Sequence, residues 1–538
     1  MPYSPIFTYF RPKYLGCKDC FPTFAPIFGR RTAPSTNQTY DNDDEKTILA
    51  LAAAALVSAA RAEGYQVNNF SARQAGMANV GTAMKLGSES IYFNPAATAF
   101  QGSKFDISLG ATGILSSVTA STLPDATNGY KSTLSEKSDN RMSTPLHMYV
   151  NYKPAERWAV GVGFYTPNGS SMNWGDDWSG AHLIQSINLA AYTVQPTVSF
   201  KICDRLSIGV GAMITWGNFD LSRAMLPVGA GNQTLVAGFN TVNGMLPVLG
   251  PAAGLTQELI AQYQAMAQAG ASYFSDNLQH RAIVSATLEG SANVAVGVNA
   301  GILWDVNDEW SVGMTWRSRM NMKVDSGTAR LDYASEQAQS YLAFLNTILQ
   351  TAGQPSAIPA LDQGTFRTRL PLPTTVTWGV SYRPNAKWQM GVDLQWIGWS
   401  AYKDLNVAFN EEELGIDDIY SVKNYSNTLS ARFGAEYNAL KWLTARAGIY
   451  YDQSPVDSNY LNPETPSMTK IAYSLGASLR LARCMSLDVA YCYVSSADPE
   501  RTGSYPLYDY STGALSSVFT RNYKLHAHVL SFGMRFNF

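Results

Sequence analysis

The feature that most restricts what this chain can fold into is a period-two alternation of side chains, repeated along most of its length. Trp158, Val160, Val162 and Phe164 alternate with Ala159, Gly161, Gly163 and Tyr165. Leu206, Ile208, Val210, Ala212 and Ile214 alternate with Ser207, Gly209, Gly211, Met213 and Thr215, and the pattern recurs through Trp310–Arg317, Thr375–Tyr382, Thr428–Tyr437, Tyr473–Leu481 and Leu487–Tyr493. Successive side chains on opposite faces mark an extended backbone, here with one apolar, often aromatic face and one of Gly, Ser, Thr, Arg or Asp. A soluble sandwich alternates too, so the connections decide. Tight joints such as Pro154-Ala155-Glu156-Arg157, Cys203-Asp204-Arg205 and Asn307-Asp308-Glu309 alternate with long segments at 116–142, 166–188, 220–281, 326–364, 400–425, 452–470 and 496–520. Short turns at one end and long loops at the other are the pattern of an outer-membrane barrel.

The runs place strands near 104–115, 143–153, 157–165, 190–202, 205–219, 283–305, 309–324, 366–383, 387–399, 427–438, 442–451, 471–481, 485–494 and 522–538. That is an even number, fourteen, as single-chain bacterial barrels require. The expected fold is therefore all-β, a 14-stranded antiparallel transmembrane β-barrel over 104–538. The last run, Leu530, Phe532, Met534, Phe536 and Phe538, ends the chain on an aromatic and resembles a barrel assembly signal, which implies barrel-assembly machinery as a partner.

Composition fits this reading. Charged residues are 15% of the chain, against about 25% in soluble domains. Aromatic residues are 12%, which excludes a disordered chain. A net charge of −2 leaves no electrostatic footprint for nucleic acid. The mean hydropathy is −0.12, and no apolar run approaches the roughly 20 residues of a membrane helix. A barrel reconciles these facts, because only every second residue meets lipid.

Residues 48–60 form the one long apolar run, which follows Lys46 and ends in the A-x-A site Ala60-Arg61-Ala62. Residues 46–62 read as a secretory signal peptide, within a leader of 1–62 whose first part, 1–45, fits a mis-called start. Cys17 and Cys20 have C-x2-C spacing without a second pair, so no metal site or cofactor is expected. Cys203, Cys484 and Cys492 form no disulfide framework, and His526 and His528 read as interface residues.

Several motifs, in order, resemble the FadL family of outer-membrane channels for long-chain fatty acids and other hydrophobic compounds. They are Phe70-Ser71-Ala72-Arg73-Gln74-Ala75-Gly76-Met77, Ser90-Ile91-Tyr92-Phe93-Asn94-Pro95-Ala96, Tyr165-Thr166-Pro167-Asn168-Gly169, Met314-Thr315-Trp316-Arg317-Ser318, the run Trp388–Trp399, and Arg446–Asp452. The resemblance covers 63–538. It implies an N-terminal hatch over 63–103 that closes the barrel, capture of ligand by an apolar groove on the outer loops, a lumenal pocket, and lateral release through a gap beside a kinked strand. The implied localisation is the outer membrane of a Gram-negative bacterium, in contact with outer-membrane lipid and lipopolysaccharide. The implied state is a monomer, and the implied role is passive uptake of a hydrophobic small molecule such as a fatty acid, without enzymatic activity. Two alternatives are a channel for aromatic or other non-fatty-acid compounds and a surface adhesin or structural barrel.

Within that frame Phe70, Asn94, Pro95 and Ala96 are candidate gating residues of the hatch; an ordinary turn is the plainer reading of Asn94-Pro95-Ala96. Leu255, Leu259, Tyr263 and Met266 fall at helical spacing in one long loop, and Leu342, Phe344, Leu345 and Ile348 in another. These helices are expected to bury their apolar faces on each other or on a ligand. By strand parity Arg317, Arg319, Arg367, Arg369 and Arg446 point into the lumen as candidate carboxylate partners, or as members of an internal ionic network. Bulges near Pro371 and Pro373 would reverse the parity of Arg367 and Arg369.

Overall fold

The computed structural model describes residues 64–123, 134–278, 280–353, 363–410, 418–508 and 515–538; the leader at 1–62 lies outside the described residues. The strands make one continuous antiparallel sheet that closes on itself. Nine passes are unbroken: β1 (Phe105–Ser121), β2 (Leu146–Ala155), β3 (Trp158–Asn173), β4 (Ser186–Cys203), β5 (Leu206–Ala224), β6 (Val284–Asp305), β11 (Leu443–Asp452), β12 (Lys470–Ala482) and β14 (Leu515–Asn537). Five are each interrupted once: β7 (Trp310–Arg317 and Met320–Tyr333), β8 (Gln363–Leu372 and Thr375–Tyr382), β9 (Trp388–Ile397 and Asp404–Phe409), β10 (Ile419–Val422 and Thr428–Leu440) and β13 (Met485–Ser496 and Arg501–Tyr508). A short piece, Ser135–Lys137, adds to the outer end of β1. The result is the fourteen-stranded barrel that the alternation predicts.

Closure is made by β1 and β14, paired in unbroken register from Asp106↔Asn537 to Ser121↔Asn522. In hydrocarbon no water can satisfy an open strand edge, so a spanning sheet must close. Phe538 takes part in the seam: its carbonyl accepts from Lys104 N at 2.8 Å and its amide donates to Phe105 O at 2.9 Å.

The alternation sorts the faces as expected. Val160, Val162, Ile208, Val210, Ile302, Val380, Val392, Phe433 and Phe532 are exposed on the outside. Aromatic pairs stack on the exterior near the short turns, with Trp310–Tyr382 ring centroids 4.3 Å apart and Trp388–Tyr437 4.5 Å apart. A second group, Phe164, Tyr192 and Trp216, sits further along the wall. Such belts mark the two membrane interfaces.

Parity reverses in two interrupted strands. In β7 the inward side changes from Thr315 to Met320, Met322 and Val324, and in β8 from Phe366 and Thr368 to Thr375 and Thr377. Arg319, Arg367 and Arg369 therefore face outward and are exposed, which corrects their lumenal placement. The reversal falls where Ser318-Arg319 and the facing Pro373-Thr374 interrupt both strands at once, while the register is kept from Leu372↔Met320 to Thr375↔Arg317.

Replacing outward Val210 with Arg is expected to cost about 2–4 kcal/mol of barrel stability, as for a charge at the bilayer midplane. Denaturant unfolding in lipid vesicles checks this, and Val210→Ile should be near neutral.

Candidate functional site

The described residues from Gly64 to Ser103 form the hatch, which lies inside the barrel. Two short helices, α1 (Ala72–Ala75) and α2 (Ser90–Phe93), and a 3-10 turn at Pro95–Phe100 carry it. Ser71 caps α1 by accepting from Gln74 N at 3.1 Å. Asn94 starts the 3-10 turn: its Oδ1 accepts from Ala96 N at 3.1 Å, and Pro95 occupies the first helical position, where no amide is needed. The Asn94 amide group also donates to Thr82 O at 2.8 Å and to Ile302 O on β6 at 3.0 Å. Asn94, Pro95 and Ala96 thus fasten hatch to wall, and Asn94 and Ala96 are fully buried.

The hatch approaches the wall at backbone distance, which explains many of the inward glycines. A Cβ added to Gly448 on β11 would lie 2.5 Å from the carbonyl carbon of Met77, and one on Gly476 of β12 would lie 2.8 Å from the Gly76 Cα. Gly209, Gly313 and Gly434 face hatch backbone in the same way. Ala78 and Asn79 take positive φ of 55° and 59° where the chain turns under this collar.

Charge completes the attachment. Arg73 of the hatch meets Glu436 of β10 at 3.1 Å; Glu436 also accepts from Arg446 Nε at 2.8 Å, and Arg446 lies 3.6 Å from Asp488. Asp393 accepts from Gly81 N, Thr82 N and Thr82 Oγ1 at 2.9–3.0 Å. Lys85 pairs with Asp305 at 2.6 Å. Arg317 lies over the Tyr92 ring, 4.0 Å from its centroid, and donates to the Tyr92 carbonyl. Phe70 stacks on that ring from the hatch at 3.6 Å and is 1% exposed. Arg446 and Arg317 thus point inward but are engaged with the protein itself.

Outside the membrane, α3 (Ala230–Leu249), α4 (Gln257–Asn277) and α5 (Glu336–Thr351) pack on one another. Leu342 and Leu345 are buried in that contact, Tyr263 meets Phe344 edge-on at 5.8 Å, and Leu255 and Ile348 are partly buried around it. Leu259 is half-buried and Met266 exposed.

Motif reading missed a cavity of about 780 Å³ between hatch and wall. It is lined on the lumenal side by Asn68, Tyr450, Val494 and Ala527, and it continues past Met142, Gly169 and Ser171 to outward-facing Ala190 and Tyr192 of β4. None of Arg317, Arg319, Arg367, Arg369 and Arg446 lines it. The opening exists because β2 and β3 part company. Their pairing runs only to His147↔Tyr165, whereas β3 continues to Asn173 alongside β4 with a register shift between Tyr165 and Asn168. Beyond Leu146 the chain stays with β1, with Thr112 N donating to Pro145 O at 3.0 Å and Ile114 exchanging hydrogen bonds with Ser143. The separation closes again where Asp139 N donates to Asn173 O at 2.8 Å. Pro167 is the sequence signal, since a residue without an amide hydrogen is confined to strand edges and bulges.

The exposed edge of β3 is covered from within by the start of the hatch. Val67 N donates to Pro167 O at 3.0 Å, Gly169 N donates to Tyr65 O at 2.9 Å, and Gln66 bridges Asn168. Tyr65 anchors this piece by donating to the Pro371 carbonyl and packing edge-on against Trp399 at 5.0 Å.

The family model for the outer membrane protein transport proteins (OMPP1/FadL/TodX) matches residues 53–538. The chain belongs to this family. It is 25% identical over 466 residues to a long-chain fatty acid transport protein of Escherichia coli, covering 84% of this chain and 90% of that one. Among solved structures, a Pseudomonas aeruginosa FadL homologue superposes with a TM-score of 0.66 at 17% identity, over 88% of this chain and all of the other. The Pseudomonas putida toluene transporter TodX gives 0.56 at 16% identity, over 87% and 98%. Membership of the family places the protein in the outer membrane of a Gram-negative bacterium.

Two substitutions test how the hatch is held. Glu436→Gln leaves Arg73 without its partner and is expected to cost about 3–5 kcal/mol. Gly448→Val drives a side chain into the hatch backbone. Both are expected to raise single-channel conductance in planar bilayers above the closed wild type.

Proposed function

We propose that this transporter of hydrophobic compounds carries long-chain fatty acids passively, through the 780 Å³ cavity and out sideways between β2 and β3. The observation that carries the reading is that the outer half of β3 runs without β2 beside it, where the cavity reaches from the lumen to the lipid-facing wall. The volume lies within the roughly 300–1,000 Å³ typical of ligand pockets. Apolar lining residues such as Met142, Tyr450, Val494 and Ala527 are interspersed with polar ones, Asn68 and Arg141 among them; each methylene that the apolar part removes from water contributes about 0.8 kcal/mol. Arrival is served by the exposed apolar side of the outer helices, where Met245, Val248, Leu249 and Met266 face solvent. Release requires residues 65–67 to leave the β3 edge. The fatty-acid transport protein of E. coli among the relatives supports this substrate class, and the toluene transporter TodX supports the second reading, a route for aromatic compounds.

Cells making the protein are expected to take up labelled oleate faster than cells without it; equal rates would sink the fatty-acid reading. The exit is tested separately. Gln66 and Asn168 are bridge partners, and opposed residues with Cβ atoms about 4.5–5.5 Å apart lie close to disulfide geometry. In a variant lacking the native cysteines, Gln66→Cys with Asn168→Cys is expected to block uptake when oxidised and restore it on reduction.

A further inference from the structure

The outer surface of β7 and β8 changes character at their shared interruption. On the side of the short turns its exposed residues are apolar: Met314 and Trp316 on β7, Trp378 and Val380 on β8. On the side of the long loops the outward, exposed positions carry Arg319 and Lys323 on β7 and Arg367 and Arg369 on β8. Lys323 and Arg369 are directly opposed in the strand register. Their Cα atoms are then about 4.5–5.5 Å apart, a pairing in which like charges repel. Arg367 follows on the same side of β8, about 7 Å further out, and Arg319 lies about 13 Å from Lys323 toward the hydrocarbon.

The protein does not neutralise this group itself. Among the described residues, none of the four cations lies within ion-pair distance of a carboxylate. Arg319 donates to a neutral acceptor, Asn321 Oδ1, at 3.5 Å. Two outward carboxylates flank the group and stay apart from it: Asp325 accepts from Asn293 Nδ2, and Asp404 lies at the start of the outer part of β9. Further out on β7 the contrast is plain, since Arg330 pairs with Glu289 at 2.7 Å and with Asp332 at 3.1 Å. A charge on the lipid face costs most at the bilayer midplane and least at the interface. Long basic side chains lay their stems on the wall and hold their charge at headgroup level, and exposed tryptophans mark that level from the hydrocarbon side.

We propose that Lys323, Arg369, Arg367 and Arg319 form a binding site on the outer wall for the phosphate groups of lipopolysaccharide, the phosphorylated glycolipid of the outer leaflet, whose acyl chains lie over Trp316 and Trp378. Charge and position select this occupant together. The long loops face the cell exterior, so the cations stand in the outer leaflet, directly above apolar wall that only a lipid would cover. Guanidinium groups match phosphate oxygens bidentately, and the lysine adds a point charge between them. The anion also relieves the repulsion between Lys323 and Arg369. The site is independent of what the barrel carries, because its charges face lipid and not the lumen.

The test measures binding of purified lipopolysaccharide to the full-length barrel in neutral detergent, beside the same lipid with its phosphates removed, phosphatidylglycerol and inorganic phosphate. The wild type is expected to bind intact lipopolysaccharide most tightly. The variant with Lys323→Gln, Arg367→Gln and Arg369→Gln together is expected to lose about 100-fold in affinity, about fivefold for each cation at a charged lipid surface. Arg330→Gln, which removes a cation already paired within the wall, should leave binding unchanged, and Lys323→Arg should retain it. Retained heat-modifiable migration on gels shows that each variant is a folded barrel; if the triple variant does not fold, Arg369→Gln alone is expected to lose about fivefold. Unchanged affinity in the folded variant, or equal wild-type affinity for the dephosphorylated lipid, overturns the site. So does equal affinity for phosphatidylglycerol or inorganic phosphate, which marks a general anion surface, and so does a wild type that binds none of the four.

Discussion

In hydrocarbon a backbone amide or carbonyl has no water to turn to, and this requirement governs the whole molecule. It forces the sheet to close, through the unbroken β1–β14 seam. It also gives meaning to the place where wall pairing lapses. Between Tyr165 and Asn173, β3 runs without β2, and its edge groups are met instead by Tyr65 and Val67 from the lumen. An opening in the wall and the segment that covers it are therefore one feature: backbone that must be paired somewhere. A segment held by a few such bonds can leave and return at modest cost, unlike a strand paired on both sides.

The hatch depends on the same wall in a different way. Inward glycines let its backbone come closer than any side chain would permit, so it is held by shape over a wide area. Polar contacts then fix its register: Asp393 with three donors, Asn94 bridging Thr82 to β6, and Glu436 between a hatch arginine and a wall arginine. Buried charges of this kind stabilise little in net terms, yet removing one partner is costly, so they specify position more than they add stability. They also leave Arg446 no free face for a ligand.

The outer helices show where sequence pattern stops. Their spacing announces an apolar stripe but is silent on what covers it. Leu342 and Leu345 meet other helices, while Met266, from the same kind of pattern, meets water. Which side of a stripe is buried is settled by three helices coming together over loops far apart in the chain.

The sequence by itself determined the barrel, its fourteen passes, the end that carries the long loops, and the lipid-facing side of most strands. These follow from a local period of two and from loop lengths, which need no long-range information. Pro167, Pro371 and Pro373 were visible as interruptions, but their consequences were not. The first marks the opening in the wall, and Pro373 lies in the double interruption beyond which Arg367 and Arg369 face the outside, a reversal that only the paired register reveals. The tertiary structure alone decided the cavity and the company each arginine keeps. Arg223 and His182 are neighbours because the segment before β4 continues alongside the outer end of β5, where Ala224 N donates to Ala181 O at 2.8 Å.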